Sequence, residues 1–451
     1  MTHTVNEPTV ALGFRYALRS GVTCLTLPNR VAVLSAPPRK FQRAGLDAAQ
    51  LAALQALNSN STVLVTADDS VSELLAELAD GGWLAVTVRA AGRDLYTLRP
   101  FAEPPAAPAE IPATVTPSKF LVLHRAGADL VAEHPMSWCD LVVHDADVLA
   151  AVSGLAASPD LPARLRRDLL WGGFALAESD CEEHEFTTRS WSAPDLWFHR
   201  RSTLGARILD WEHFGPTRWA ADRFPAPPAR PAERPGAPIE LPACDLDLLT
   251  CHDVPLTAAI EARMSHRSFD ERNPITLDQL GELLYRCART REVRDDAGFE
   301  RASRPYPSAG GIYELELYPI VRNAAGLEAG MYHYDSFDHH LVPVADIDSA
   351  AVQRLLRMTS ATLSGGAQPQ VTVVVAARAG RVMWMYETVC YASILKDVGA
   401  LMQTCYLVAT AMGLGIVAQG FGDTAAFGAA AGVAELEECA VGTLIVGSLP
   451  E

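Results

Sequence analysis

From about Tyr386 to Met412 the chain runs through Leu395, Val398, Leu401, Met402, Cys405 and Leu407 without a proline, then meets Gly413 and Gly415. This predicts one long helix, stopped where glycine can take the left-handed conformation. The segment is apolar on nearly all sides, so it must be covered on nearly all sides, by an internal core or by a second subunit. Any acceptable fold is built around it. The flanking segments supply the partners. Gln370 to Ala377 is a β-branched run that reads as a central strand. Glu314 to Val321 alternates apolar and polar residues in its first half and reads as another. Val441 to Val446 is a final strand. Pro255 and Thr257 lead into a helix carrying Ile260, Ala262 and Arg263. Thr276 with Gln279 forms a capping-box pattern that opens a helix through about Arg289.

Two stretches rich in alanine and proline, Glu103 to Pro117 and Phe224 to Pro242, interrupt the chain. Neither has a helical or strand period, and proline fixes φ and removes a donor, so both read as extended linkers. They leave blocks of about 1–102, 118–222 and 243–451. In the first, Leu46 to Leu57 is helix-like, and Asp68 or Asp69 caps a second helix through Leu78. Gly81-Gly82 ends it, and Trp83 to Val88 and Asp94 to Leu98 form a hairpin around Gly92. Helix, helix, hairpin is a winged-helix-like order. The second block offers a strand from Lys119 to Arg125, helices from Ala146 to Ala156 and from Pro162 to Ala175, and then the run Trp197-Phe198-His199-Arg200-Arg201-Ser202.

Charge limits what these blocks bind. Lysine plus arginine number 37 and aspartate plus glutamate 54, a formal net charge of −17. That argues against nucleic acid and against an anionic membrane surface. A peptide is the better ligand for the winged-helix-like block. The first residues lack a basic region followed by an apolar one, and no stretch gives ~18 uninterrupted apolar residues. The expected location is the cytoplasm. Nine dispersed cysteines fit reduced thiols. Cys181 with His184, and Cys244 with Cys251-His252, lack the four-ligand spacing of a zinc site, so no metal is expected.

Three short runs in the third block carry chemistry. In Arg263-Met264-Ser265-His266-Arg267 the two arginines and the serine alternate, so an extended backbone turns them to one side, where they converge on a phosphate. Pro307-Ser308-Ala309-Gly310-Gly311 is a tight loop whose glycines let backbone approach a flat ligand. Gly413-Leu414-Gly415 with Gln419-Gly420-Phe421 ends the long helix and presents further backbone donors. A flavin mononucleotide needs such parts: cations for the phosphate, donors for the ring edge, and open space above the ring. Each run alone is ordinary; the three together are specific.

With these runs the chain resembles nitroreductase-fold flavoproteins, and more narrowly the SagB-type thiazoline/oxazoline dehydrogenases of azole-peptide biosynthesis. The resemblance is carried by Pro307-Ser308-Ala309-Gly310-Gly311, Leu315-Glu316-Leu317-Tyr318, Gly330-Met331-Tyr332-His333-Tyr334-Asp335, and Gly413-Leu414-Gly415 with Gly420-Phe421. Leu196-Trp197-Phe198-His199-Arg200-Arg201-Ser202 with Gly205 matches a short signature of the same group. The resemblance is strong from about residue 255 and weak before 190. It implies an α+β fold, a mostly antiparallel sheet flanked by helices, in an intertwined homodimer with FMN at the subunit interface. It implies cofactor contacts at Arg263, Met264, Ser265, Arg267, Pro307, Ser308, Ala309, Gly310, Gln419, Gly420 and Phe421. It also implies oxidation of azoline rings in a precursor peptide, with the pathway's cyclodehydratase as a possible partner and a peptide clamp in the N-terminal blocks.

The sequence departs from that group at one point of chemical weight. Relatives carry a lysine followed by a tyrosine at the start of the long helix; here the pair is Met385-Tyr386. Methionine neither moves a proton nor holds an anion. Either Tyr386 acts alone as base, or Lys396 or Glu387 compensates, or the oxidation chemistry is changed. The C-terminal Val446-Gly447-Ser448-Leu449-Pro450-Glu451 also offers no cation to a phosphate, which leaves that task to Arg263 and Arg267. Two other readings stand beside dehydrogenation: an NAD(P)H-dependent nitro- or quinone reductase, and a non-catalytic peptide-binding scaffold with a vestigial flavin fold.

Overall fold

The computed structural model describes residues 12–59, 62–64, 69–155, 161–177, 182–205, 207, 215–217 and 219–450. The chain divides into two units, Met1–Trp211 and Glu212–Glu451.

The N-terminal unit is organised by a seven-stranded antiparallel sheet. Its strand order is Val63–Leu64, Leu12–Leu18, Leu84–Ala90, Arg93–Pro100, Cys139–Val143, Asp129–Glu133, Val122–Ala126. The expected helices are present as Ala48–Asn58 and Asp69–Asp80. Asp47 and Gln50 form a reciprocal capping box at the first. Asp69 is the first residue of the second, and the alternative cap Asp68 lies outside the described residues. The expected hairpin closes through Ala91 and Gly92, both at positive φ (48° and 78°). That is the two-residue turn whose twist suits a hairpin, and it requires left-handed residues at both centres. The hairpin is not a free wing. Leu84–Ala90 pairs with Leu12–Leu18 and Arg93–Pro100 pairs with Cys139–Val143, so one sheet runs through both of the first two blocks. A separate three-stranded sheet, Thr23–Leu27, Val31–Ala36 and Arg39–Arg43, was not visible in the sequence pattern.

The C-terminal unit carries a second seven-stranded antiparallel sheet. Its order is Ile239–Glu240, His340–Asp346, Gly330–Asp335, Leu315–Val321, Val371–Ala377, Cys439–Ser448, Leu414–Gln419. Val371–Ala377 is buried along its whole length, as its β-branched composition requires. Leu315–Val321 is buried throughout as well, although its first half alternates. Helices cover both sheet faces: Leu315, Leu317 and Val321 join the core around the long helix, while Tyr318 and Ile320 face the helices Ala350–Ser360 and Thr424–Ala431. Mixed helices and antiparallel strands give the expected α+β architecture.

The long helix is shorter than expected. It runs Cys390–Ala411, and a separate helix, Ala379–Met385, precedes it. Between them Tyr386 is extended (φ −132°, ψ 149°). Thr388 and Val389 at the break are β-branched, which slightly lowers helix propensity there. The C-terminal end is as expected, with Gly413 at φ 68°. Ile394, Val398, Leu401, Cys405 and Ala409 form its buried stripe, while Tyr391 and Leu395 on other sides are exposed.

The proline-rich stretch at 224–242 is extended but fastened down. Arg381 donates to the Pro227 carbonyl at 2.5 Å, and Arg378 to Pro228 at 2.8 Å and Ala229 at 2.7 Å. The Trp384 indole donates to the Phe224 carbonyl at 3.3 Å. Such a segment makes few backbone bonds of its own, so arginine side chains satisfy its carbonyls.

Candidate functional site

The helix Leu256–Ala262 ends where Arg263 turns extended (φ −56°, ψ 121°), and the chain then runs beside the edge strand Leu414–Gln419. The His266 amide donates to the Ile416 carbonyl at 2.9 Å, and Asp270 to Ser448 at 3.2 Å. Gly415 eases this close passage. A Cβ there would lie 2.8 Å from the Leu449 side chain and 3.1 Å from the Phe269 ring.

The Ser265 hydroxyl lies 2.9 Å from the Tyr406 hydroxyl, which accepts from the Ala418 amide at 2.8 Å. The Arg263 guanidinium is 5.3 Å from the centroid of the same tyrosine ring. One side chain of the long helix thus ties Arg263 and Ser265 to the strand that leads into Gln419-Gly420-Phe421. Met264 points the other way and is 55% exposed; Arg267 is also exposed. Among the described residues neither Arg263 nor Arg267 joins an ion pair. Two uncommitted guanidinium groups and a hydroxyl on one extended segment form a donor set suited to a phosphate. Gly420 opens to solvent with nothing near its missing side chain, and Phe421 is 45% exposed. Gln419 faces inward instead, donating to the Thr359 carbonyl at 3.1 Å and to the Thr362 hydroxyl.

The Pro307–Gly311 loop lies elsewhere along the same helix. Gly310 and Gly311 take positive φ, 59° and 68°, which accounts for the glycine pair. The Ser308 hydroxyl and the Ala309 amide both turn to Asp397: Ser308 donates at 2.8 Å and Ala309 at 2.9 Å. The Ser308 oxygen in turn accepts from the Tyr313 amide at 3.0 Å. Asp397 was not singled out from the sequence. Its signal was a carboxylate on the inward face of the helix, between Ile394 and Leu401. From Asp397 to Tyr406 is 406 − 397 = 9 residues, roughly 14 Å along a helix axis. The structure therefore gathers the first and third motifs at one level of the helix and places the second at another.

Buried charge surrounds this loop. Glu314 is fully buried, and its carboxyl is pushed up to about 7 by burial and by the nearby Asp397. Burial also raises Asp397. Glu316 on the next strand is 3.2 Å from His333 and 3.7 Å from Arg304. The Tyr318 hydroxyl meets Arg234, which pairs with Glu438 at 3.0 Å. The polar residues of Leu315-Glu316-Leu317-Tyr318 and the histidine of Gly330–Asp335 thus serve a charge network inside the sheet.

Tyr386 stands half-buried at the break before the long helix, and its carbonyl accepts from the Cys390 thiol at 2.9 Å. Met385 beside it is buried in the main core, while Glu387 and Lys396 are exposed. In the N-terminal unit, Leu196 to Arg201 falls on the helix Ala193–Arg201 with Ser202 as its C-cap; the Trp197 indole donates to the Phe120 carbonyl at 2.8 Å and Arg201 pairs with Glu133. Among the described residues no cluster could hold a metal ion, no helix is long and apolar enough to cross a membrane, and the cysteines are free. Cys181 lies outside the described residues.

Residues 260–448 match the Nitroreductase family, a family of flavin-dependent oxidoreductases, so the C-terminal unit holds a nitroreductase-family domain. MJ1384 of Methanocaldococcus jannaschii, a nitroreductase by name, is 28% identical over 176 residues, 39% of this chain and 83% of its own length. The trifolitoxin-processing protein TfxB of Rhizobium leguminosarum bv. trifolii is 29% identical over 170 residues. That match takes in 36% of this chain and 45% of TfxB, so the chain spans under half of that relative. A solved structure from Ralstonia eutropha, also a nitroreductase by name, is 23% identical and covers 53% of this chain and 100% of its own, with a TM-score of 0.37.

Proposed function

We propose that the nitroreductase-family domain binds FMN and that the chain is an azoline dehydrogenase, oxidising thiazoline or oxazoline rings in a precursor peptide to thiazoles or oxazoles, as the SagB-type enzymes do. The observation that carries the cofactor is the uncommitted pair Arg263 and Arg267 flanking Ser265, held against the Gly415 strand. These residues would hold the phosphate, with Met264 beside them. The backbone at Pro307, Ser308, Ala309 and Gly310 and at Gln419, Gly420 and Phe421 would face the ring. Bound FMN supplies a two-electron acceptor for the hydride.

The chain's own part is to orient the ring, exclude water and take a proton. Tyr386, at a break in the helix with its side chain half-buried, is the proposed base, its phenol oxygen receiving the proton from the ring carbon. Met385 contributes packing there, so the proton has no lysine to share it. The peptide reading draws support from the match to a toxin-processing protein and from the N-terminal unit, which has its own sheet and lies outside the family match. Exposed Phe186, Trp191 and Phe198 give that unit apolar surface for a peptide or a cyclodehydratase. A homodimer is proposed from the exposed row Leu256, Ile260 and Met264 with Tyr391 and Leu395. The proposed location is the cytoplasm, with no nucleic acid or membrane as partner.

One observation favours a second reading. MJ1384 is matched over 83% of its length by 176 residues, 39% of this chain, so a nitroreductase-named protein needs nothing like the full length of this one. Rapid NADPH oxidation without peptide would select the nitro- or quinone reductase. Protein that takes up no flavin yet binds a leader peptide would select the vestigial scaffold. The direct test is the absorption spectrum of the purified protein, then the mass of an azoline peptide. A loss of about 2 Da per ring is expected from removal of two hydrogens. Arg263→Ala should lose copurifying flavin; a variant as yellow as the parent would contradict the phosphate assignment.

A further inference from the structure

We propose that Asp397 and Glu314 form a carboxyl pair holding a single proton, and that this pair positions the Pro307–Gly311 loop. The inference deepens the FMN reading, because the loop's effect on a ligand rests on it.

The geometry divides the labour between the two carboxyls. Asp397 accepts from the Ser308 hydroxyl at 2.8 Å and from the Ala309 amide at 2.9 Å and 3.1 Å, one distance to each oxygen. A group that only accepts is the ionised one. Glu314 is fully buried at the start of the next strand, with Oε2 3.4 Å from the same Ser308 hydroxyl. Its second oxygen has no partner. The one Ser308 proton goes to Asp397, so Glu314 carries a proton of its own and turns it to the Ser308 oxygen.

The groups facing the pair do not neutralise it. Arg304, from the segment before the loop, donates to the Leu315 carbonyl at 2.6 Å and lies nearer Glu316. The buried Tyr306 hydroxyl and two Arg304 nitrogens make no bond to either carboxyl. Lys396 is exposed and acts on Asp397 only through its charge. Among the described residues no ion pair reaches Glu314 or Asp397. Two buried carboxyls on one hydroxyl, without a bonded cation, do not both ionise, so one proton stays. Losing it sets like charges against each other beneath the loop. Asp397 must then move, and Ser308 and Ala309 lose their acceptor. Asp397 and Glu314 are thus positioning residues, acting through the loop.

The test follows the loop and the ligand separately between about pH 5.5 and 8.5. The first readout is hydrogen exchange of the peptide spanning Ser308 to Tyr313 in flavin-free protein, corrected for intrinsic rate. Protection should fall through neutrality in the parent. In Glu314→Gln, whose amide donates at every pH, protection should stay level. The second readout is FMN affinity. It should weaken by roughly tenfold over that range in the parent, the loss that goes with one charge-assisted hydrogen bond, and stay level in Glu314→Gln. Asp397→Asn should weaken FMN at all pH values. A Glu314→Gln protein that keeps the parental pH profile of exchange overturns the pair. If exchange behaves as expected and no variant binds FMN, the pair stands and the flavin reading falls.

Discussion

Tyr406→Phe is a demanding test of the site, because it removes one oxygen and keeps the ring. The hydroxyl holds two bonds, 2.9 Å to Ser265 and 2.8 Å from the Ala418 amide. Each contributes about 1 kcal/mol net, and the half-buried Ala418 amide loses its partner, so the expected destabilisation is about 2 kcal/mol. The Arg263 guanidinium keeps its place over the ring at 5.3 Å, so that contact is not lost. Urea unfolding of flavin-free protein measures the first effect. An FMN titration measures the second: Ser265, no longer held, must be ordered on binding, and affinity should drop about three- to tenfold. Arg263→Ala provides the contrast, since it removes no hydrogen bond of the free protein and should weaken FMN with little change in unfolding. If Tyr406→Phe unfolds within about 0.5 kcal/mol of the parent, the hydroxyl does not organise the segment and the reasoning fails.

Further outcomes are expected. Tyr386→Phe should lower azoline turnover by roughly 10² while leaving flavin bound; parental turnover would remove it from the mechanism. Arg381→Met should destabilise the C-terminal unit by about 3–5 kcal/mol, because carbonyls of Pro227, Glu300 and Ile312 lose their donors together; denaturant unfolding checks it. Glu314 binds its proton more tightly folded, at about 7, than at its ordinary 4.5. Its stabilisation is therefore complete below about pH 4.5 and lost as pH rises through about 7, a change of about 3 kcal/mol. Melting curves of the parent should show this fall, and those of Glu314→Gln should not.

The legible parts of the C-terminal unit were those decided locally. The Thr276–Gln279 capping box forms reciprocally because both partners lie within one turn. The stop at Gly413 needs only the permissiveness of one residue. The run Gln370 to Ala377 reads as central because a strand buried on both faces leaves a continuous apolar pattern. What failed was set at a distance. Leu315–Val321 is the strand that was expected, but the alternation of its first half could not show that Glu316 is buried, where His333 and Arg304 reach it from other elements. The tight loop was visible from its glycines, but not that Asp397, 397 − 308 = 89 residues beyond Ser308, takes its donors. The linker reading of 224–242 correctly gave an extended backbone. Composition cannot show that Arg378 and Arg381 would supply the donors that hold it down.

These distant contacts share a logic that bears on the chemistry. The loop rests on Asp397, the phosphate-type segment rests on Tyr406, and both belong to one helix whose buried stripe runs Ile394, Val398, Leu401, Cys405. A rigid helix keeps two anchors at a fixed spacing of roughly 14 Å, which side chains on separate loops could not do. Tyr386 stands outside that helix, beyond the break at 386–389. The proposed base therefore shares its helix with neither anchor. Joining the two helices, by replacing Thr388 and Val389 with alanine, should raise helicity at the break. FMN affinity should stay unchanged while azoline turnover falls. Equal losses of affinity and turnover would mean that the break belongs to the cofactor site rather than to the proton-transfer step.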